Sequence, residues 1–255
     1  MILDFNKPER ISKIISSLGL RSRRDAEKLI DEGRITLNGE KIMLPGTKAT
    51  LSKDVIAIDG KIVEAAAGER KYDYYLLNKP KGYLTTCRDP FSRKTIFDLL
   101  DLDGHYFPVG RLDLDSRGLV LITNDGLLCE LIIHPRNEIK KTYVITIDVE
   151  LDAGAIDELK RGVVFENETY RAFNIEKKSD GVYKVELTEG KKREIRRMME
   201  AVGRRVLDLF RVAIGPLSVE GIKEGCYRKL GEDEVKALKK YTGYEKAVKM
   251  IKEKI

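Results

Sequence analysis

Apolar residues recur at helical spacing twice within the first 33 positions of the chain. Residues 11, 14, 15 and 18 are apolar, which predicts a helix over residues 10–18 that Gly19 ends. Ser22 and Asp25 fit a capping box, so a second helix is predicted over residues 23–32, just before Gly33. Each helix therefore has an apolar face to bury.

Two β-branched runs follow these helices, and each leads into a turn. Residues 34–39 end in Asn-Gly and residues 55–60 end in Asp-Gly, which are typical dipeptides of tight hairpin turns. Two short helices and a small sheet predict an independent α/β module over residues 1–64. Residues 65–72 have no periodicity and contain a central glycine, which predicts a linker.

Beyond the linker, strands and helices follow one another with several hairpins among them. This mixture predicts an α+β body over residues 73–240 and a basic helical extension over residues 241–255. The predicted strands cover residues 74–78, 119–123, 140–149, 169–177 and 182–188. The predicted helices cover residues 94–100, 127–133, 153–161, 189–203 and 232–255, the last of them broken near 242–243.

The apolar run at 119–123 is continuous rather than alternating, which predicts a buried strand. Arg111, Asp113 and Asp115 stand at alternate positions just before it. Carboxylates beside an arginine at the end of a buried strand favour catalysis, because the strand is rigid and the loop is open to a substrate. The ordinary alternative is an ion pair that fixes the loop. Spacing alone does not choose between the two aspartates.

Composition excludes several classes of protein. No apolar run approaches the roughly 18–20 residues of a membrane span, and the N-terminus has no stretch suited to a signal peptide. The 3 cysteines are far apart and only 2 histidines are present, which disfavours a metal centre, a disulfide framework and a histidine-activated nucleophile. No glycine-rich phosphate loop is present. We expect a cytoplasmic protein that needs neither metal nor cofactor.

The net charge of +6 is compatible with a polyanionic partner without requiring one. Positive residues cluster on and beside the predicted second helix. A solvated helix face is the ordinary explanation of such a cluster, and contact with nucleic-acid phosphates is the alternative. The residues concerned are Arg21, Arg23, Arg24, Lys28 and Arg34.

The stretch Gly110-Arg-Leu-Asp-Leu-Asp-Ser-Arg-Gly118 resembles the signature of the ribosomal pseudouridine synthases, in the branch typified by the small-subunit uridine enzyme. This resemblance covers roughly residues 8–240. It implies a mixed, mainly antiparallel sheet flanked by helices, a site in a central cleft, and Asp113 as the catalytic carboxylate. The run between residues 19 and 39 resembles the RNA-binding module of ribosomal small-subunit protein S4, which implies that its arginines contact phosphates.

Two further motifs agree with the same family. Asn78-Lys-Pro-Lys-Gly-Tyr resembles the opening of the synthase domain, and Lys79 within it is expected to contact RNA phosphates. Lys141-Thr-Tyr143 resembles the Lys-x-Tyr element of the family. That element implies that Tyr143 stands in the active site against the target base, and that the uridine leaves its stack to reach it.

A third motif is the run over residues 189–203, which carries many cations at its start. It resembles the family element that implies an ion pair between Arg196 and Asp113, with Arg111 a second group that orients the carboxylate. Cations at a helix N-terminus are unfavourable, so a bound phosphate or a facing carboxylate is expected there. Lys192 and Arg193 are accordingly predicted to contact RNA.

The resemblance implies isomerisation of uridine to pseudouridine in ribosomal RNA without cofactor or metal. The sequence does not determine the oligomeric state, and a monomer is the default expectation. The sequence leaves open whether Asp113 attacks the ribose, attacks the base or removes the 2′ proton. Large-subunit rRNA is the expected target and small-subunit rRNA the alternative. Two rival functions are a non-catalytic RNA-binding ribosome-assembly factor and a hydrolase that uses Asp113 with Asp115. Residues two positions apart rarely face a sugar from opposite sides, which disfavours the hydrolase.

Overall fold

The structure, a computed structural model, describes residues 7–18, 20–63 and 72–252. The predicted linker at 65–72 lies outside the described residues except for Tyr72. Gly19, the predicted end of the first helix, also lies outside them.

The N-terminal module contains two helices and a small sheet, as predicted. Ser22 caps the second helix, because its hydroxyl accepts the Asp25 N–H at 3.0 Å. Asn38 and Asp59 have φ values of 53° and 51°, which the two tight turns require. Ile11, Ile15 and other apolar residues fill its core. The elements are β1 (Glu9–Arg10), α1 (Ile11–Ser17), α2 (Arg23–Asp31), β2 (Ile35–Leu37), β3 (Glu40–Lys41), β4 (Lys48–Ala49), β5 (Ile56–Ile58) and β6 (Lys61–Ile62).

The body follows as a run of short strands with helices between them. Its first half consists of β7 (Tyr74–Lys79), a 3-10 turn (Ile96–Leu99), β8 (Phe107–Val109), β9 (Arg117–Thr123), α3 (Gly126–Ile133), a second 3-10 turn (Pro135–Asn137), β10 (Lys141–Ile147) and α4 (Ala153–Arg161). Its second half consists of β11 (Val163–Phe165), β12 (Glu168–Tyr170), β13 (Asn174–Ser179), β14 (Val182–Leu187), α5 (Glu194–Ala201), β15 (Val206–Ile214), β16 (Leu217–Ser218), β17 (Tyr227–Lys229), α6 (Glu232–Thr242) and α7 (Tyr244–Lys252).

One large sheet organises the body, in the strand order β13-β14-β10-β15-β9-β7-β17. Two further strands join it: β8 pairs with β9, and β16 pairs with β15. Only the β9–β15 pair of this sheet is parallel among the described strands, and the other pairs are antiparallel. The predicted α+β class with a mixed, mainly antiparallel sheet is therefore confirmed.

Apolar clusters cover both faces of this sheet, which explains the continuous apolar run in β9. Val120 and Ile122 belong to the cluster that contains residues of α4 and α5. Leu119 and Leu121 belong to the opposite cluster, with residues of α3, α6 and α7. Tyr244 lies in that second cluster, so part of the predicted C-terminal extension packs on the body.

Gly118 allows β9 and β15 to approach each other closely. Its φ is +111°, and a Cβ at this position would lie 2.3 Å from the carbonyl oxygen of Arg211. A side chain is therefore excluded by both the backbone conformation and the neighbouring strand. This contact brings the loop before β9 next to the centre of the sheet.

Three predicted elements differ from the structure. The predicted strand at 169–177 is wrong, because the chain bends between β12 and β13, where the Phe173 N–H bonds to the Glu186 carbonyl at 2.8 Å. The predicted helix at 189–203 begins only at Glu194, since Arg193 has a left-handed φ of 53°. The predicted helix at 94–100 is a single 3-10 turn.

Candidate active site

A tight loop over residues 110–116 joins β8 to β9 and carries Asp113. The Ser116 N–H donates to the Asp113 carbonyl at 3.1 Å. The hydroxyl of Thr85 donates to the Leu112 carbonyl at 2.8 Å and accepts the Leu112 N–H at 3.2 Å. The backbone on both sides of Asp113 is thus fixed, and its half-buried side chain lines a cavity.

Lys79 lies beneath this loop rather than on the surface. Its ammonium donates to the carbonyls of Ser116 at 2.7 Å, Pro80 at 3.0 Å and Asp113 at 3.1 Å. The residue is 0% exposed, and burial lowers the pKa of its ammonium to about 8. The prediction that Lys79 contacts RNA is therefore wrong, because a fully buried ammonium cannot reach a backbone phosphate.

Neighbouring strands of the sheet form the floor of the cavity. Tyr143 on β10 is the direct partner of Arg211 on β15, and both residues are buried. The Nε of Arg211 donates to the Leu119 carbonyl at 2.7 Å. Lys141 lies two residues before Tyr143 on the same side of β10, and burial lowers the pKa of its ammonium to about 8. Two cations thus flank a tyrosine at the bottom of the site.

The cavity has a volume of about 600 Å³, which is in the range of small-molecule sites. Residues 85–87 and 108–113 line one part of it, and residues 190–195 line another. Leu187 and Leu209 add apolar surface beside Tyr143. The arrangement offers two carboxyl groups, buried basic side chains and a planar apolar surface to a ligand.

Arg196 forms its ion pair with Asp115, so the predicted pairing with Asp113 is wrong. Its Nη2 lies 3.0 Å from Asp115 Oδ2 and donates to the Asp115 carbonyl at 3.2 Å. Arg193 approaches the other Asp115 oxygen at 3.7 Å. Asp115 therefore ties the loop to the start of α5. Over residues 7–18, 20–63 and 72–252, no cation lies within 4.0 Å of the Asp113 carboxylate.

The rim of the cavity is positively charged. Arg111, Lys191, Lys192 and Arg193 are exposed and line it. The structure therefore brings Arg111, Lys192 and Arg193 to the same cavity as Asp113. Arg196 contributes through the loop, since it is not a lining residue.

Glu194 is a buried acid in the cavity wall. Its Oε2 accepts the Lys191 N–H at 2.9 Å, and the residue is 4% exposed. Burial raises the pKa of its carboxyl to about 7. A proton on this group at neutral pH would add a donor to the site.

The basic residues of the N-terminal module lie on its surface. Arg21, Arg23, Arg24 and Lys28 are exposed. Arg34 is exposed too, but its guanidinium donates to both oxygens of Asp59, at 2.8 and 2.7 Å. Its charge is thus paired within the module, and its contact with RNA stays a prediction.

Sequence reasoning missed the roles of Arg211, Lys141 and Thr85. A signal for Lys141 was present, because it is a basic residue at an inward position of the alternating strand β10. A charge at such a position is costly unless it serves a site or a partner. Arg211 had no such signal, because burial along β15 does not alternate. Thr85 had no comparable signal, since its bonds to Leu112 depend on two distant loops.

No group of three or more His, Cys, Asp or Glu side chains that could hold a metal ion occurs among the described residues. No described helix is long and apolar enough to span a membrane.

Comparisons with known proteins show which families the two parts of the chain match. Residues 73–201 match the family described as RNA pseudouridylate synthase, and residues 9–56 match the S4 domain. An uncharacterised RNA pseudouridine synthase of Aquifex aeolicus is 38% identical over 240 residues, which cover 92% of this chain and 95% of the relative. Ribosomal large subunit pseudouridine synthase B of Bacillus subtilis is 35% identical over 91% of this chain and 96% of its own. A crystal structure of a pseudouridylate synthase, 28% identical, matches with a TM-score of 0.65 over 90% of this chain and 99% of the other.

Proposed function

This chain belongs to the RNA pseudouridylate synthase family, and on that basis we propose that it converts one uridine of large-subunit ribosomal RNA into pseudouridine, with Asp113 as the catalytic carboxylate. The B. subtilis relative, named for the large subunit, supports this choice of RNA. The S4 domain supports RNA as the partner of the N-terminal module.

The reaction is an isomerisation that needs no external reagent. The N1–C1′ bond breaks, and its electron pair leaves with the uracil. The ring turns, and C5 forms a new bond to C1′. C5 then loses its proton, and N1 gains one, so atoms and electrons balance. A carboxylate can assist as a nucleophile on the ribose, as a nucleophile on the base, or as the acceptor of the 2′ proton.

One observation supports Asp113 over Asp115 for this role. Asp113 lines the same cavity as Tyr143 and has no cation in contact within the described residues, whereas Asp115 forms ion pairs with Arg193 and Arg196. A carboxylate without an ion pair is available to a substrate. Tyr143 offers a surface against which the flipped base can pack.

The remaining predicted site residues take supporting roles in this proposal. Arg111, Lys192 and Arg193 at the rim contact the phosphates around the target nucleotide. Arg196 holds the loop through Asp115, and the exposed Arg21, Arg23, Arg24 and Lys28 position the RNA at a distance. The cytoplasmic location and the monomeric state stay predictions.

The test is incubation of unmodified ribosomal RNA with the wild-type protein and with Asp113→Asn. Pseudouridine is mapped by carbodiimide modification and primer extension on both subunit RNAs. One new stop in large-subunit rRNA with wild type, and none with Asp113→Asn, is the expected result.

The other outcomes identify the alternatives. A stop in small-subunit rRNA would change the target and keep the reaction. RNA retained by both proteins without a new stop would favour a non-catalytic assembly factor. Full activity of Asp113→Asn would overturn the assignment of the carboxylate.

A further inference from the structure

We propose that Arg211 contacts the uracil ring and that its guanidinium stabilises the negative charge that the ring acquires when its bond to the ribose breaks. This inference deepens the proposed function and rests on it. It concerns a residue that the motifs quoted above do not include.

The first argument is the state of the Arg211 side chain. The residue is 2% exposed and lines the cavity. Its Nε is fixed by the Leu119 carbonyl, which leaves the two Nη groups as donors. The Nη2 is buried and has no hydrogen-bond partner in the part of the chain that the structure describes. A buried charged donor without a partner is costly, so its presence calls for an acceptor that the protein itself lacks.

The second argument is where such unpaired groups occur. Five buried side-chain polar atoms lack a partner over the described residues. Three of them belong to residues that line this one cavity: Ser116 Oγ, Glu194 Oε1 and Arg211 Nη2. Several unsatisfied polar groups on residues that line one cavity are expected of a site whose ligand completes the hydrogen bonds.

The third argument decides which part of a nucleotide meets Arg211. Arg211 and Tyr143 are direct partners in the β10–β15 ladder and belong to the buried floor. Cross-strand partners have Cβ atoms about 4.5–5.5 Å apart. A base that packs on Tyr143 therefore brings its carbonyl oxygens within reach of the guanidinium. The phosphates stay at the rim, where Lys192 and Arg193 are exposed.

The fourth argument is chemical. Each of the three routes open to Asp113 places electron density on the uracil, either as the departing anion or as the enolate of an adduct. The departing anion shares this charge among N1, O2 and O4, and the enolate shares it between C5 and O4. An arginine keeps its proton at any physiological pH, so it stabilises the oxygen by donation without transferring the proton. A fixed charged donor in a dry site acts most strongly where charge develops.

Lys141 is less suited to this role, although it lies on the same floor. Its ammonium already donates to the Ile139 carbonyl at 3.2 Å and to the Glu189 carbonyl at 3.5 Å. Burial, and after it the positive charge of Arg211, lowers the pKa of the Lys141 ammonium to about 8. The permanent charge of the site is that of Arg211.

The test is a double-substitution cycle, in which a change of one protein residue is combined with a change of one substrate atom. Wild type, Arg211→Met and Arg211→Lys are compared in single-turnover reactions on the RNA fragment that carries the target uridine. The same fragment is prepared with 2-thiouridine or 4-thiouridine at that position. Sulfur accepts hydrogen bonds weakly, so each substitution weakens one contact of the ring. RNA affinity is measured by filter binding.

We expect Arg211→Met to lower the single-turnover rate about 10²- to 10³-fold, as for other donors to developing charge. RNA affinity should change less than about threefold, since the contact gains strength only in the transition state. One thio substitution should slow wild type and have a much smaller effect on Arg211→Met, because the contact is already missing. That substitution also identifies the oxygen.

Additive effects of the protein and substrate changes would overturn the inference, because a structural role or an action through Asp113 predicts additivity. A rate of Arg211→Met close to wild type would overturn it as well, with the proposed function intact. A wild-type protein that converts no uridine would overturn both. If Arg211→Met does not fold, Arg211→Lys carries the same cycle, with a smaller expected loss of rate.

Discussion

The ammonium of Lys79 lies 3.1 Å from the carbonyl oxygen of Asp113, so a lysine at the end of β7 fixes the backbone of the proposed catalytic residue. It makes two further bonds, to Pro80 and to Ser116. A buried ammonium that serves three carbonyls gives the loop one defined conformation. A carboxylate on such a loop keeps its position without an ion pair of its own.

Replacing Lys79 with methionine should therefore disturb the loop more than the binding of RNA. We expect Lys79→Met to lower the free energy of unfolding by about 1–3 kcal/mol, because three carbonyls lose their donor. The single-turnover rate should fall about 10²-fold through displacement of Asp113. Urea denaturation and rate measurements at saturating RNA check these two effects.

Lys81→Met is the matched control for this prediction. Lys81 is a neighbouring lysine, 45% exposed in its side chain and paired with Asp208 at 2.7 Å. Its loss should leave the rate at saturating RNA within about threefold of wild type, because exposed ion pairs contribute little. Equal effects of the two substitutions would mean that Lys79 acts through its charge on RNA after all.

Local signals in the sequence were sufficient for much of the fold. Helix α4 is predicted with its observed bounds, and the structure shows that Asp152 caps its start and that Gly162 ends it. The buried strand β9 was predicted from its continuous apolar run, although it begins two residues earlier. Each of these elements is specified by residues next to it in the chain.

The site depends on contacts between distant residues, and that part was not predictable. Lys79 and Ser116 are 37 positions apart, and Arg211 and Leu119 are 92 apart. Neither pair leaves a local pattern. The resemblance singled out Asp113 and Tyr143, which the structure brings to one cavity. It assigned Arg196 to the wrong aspartate, because the spacing of Asp113 and Asp115 does not show which one faces α5.

Gly118 should be intolerant of any side chain. We expect Gly118→Ala to lower the free energy of unfolding by more than about 3 kcal/mol or to prevent folding, because its Cβ would meet the Arg211 backbone at 2.3 Å. Gly110→Ala is the control, since Gly110 also has a positive φ, +75°, but open space around its Cβ. That variant should lose only about 1–2 kcal/mol from backbone strain. If urea denaturation gave similar losses of unfolding free energy for the two variants, the close approach of β9 and β15 would not be what excludes a side chain at Gly118.

The two aspartates of the loop should differ in what their substitution changes. Asp113→Asn should abolish turnover without lowering the free energy of unfolding, because its carboxylate has no ion pair among the described residues. Asp115→Asn should retain turnover at about a tenth of the wild-type rate. Its free energy of unfolding should fall by at most about 1 kcal/mol, since the Asp115 side chain is 48% exposed. Single-turnover rates and urea denaturation measure both variants. An inactive Asp115→Asn variant together with an active Asp113→Asn variant would assign catalysis to Asp115 instead of Asp113.

Glu194 should make the stability of the protein depend on pH. The pKa of its carboxyl is 4.5 when unperturbed and is raised to about 7 by burial in the folded protein. Between these two values the folded state holds a proton that the unfolded state has lost, so the free energy of unfolding falls as pH rises. The stability that this group contributes is complete below about pH 4.5 and is lost as pH passes 7, a difference of up to about 3 kcal/mol.

Glu194→Gln removes this titration and keeps an acceptor for the Lys191 N–H. The variant should therefore gain stability relative to wild type as pH rises from 4.5 to 7, with a constant difference above that range. Urea denaturation at half-unit steps between pH 4 and pH 8 measures the difference. Glu200→Gln removes a carboxylate from an exposed position of α5 and serves as the control. A difference between Glu194→Gln and wild type that does not change with pH would show that the pKa of Glu194 is the same in the folded and unfolded states.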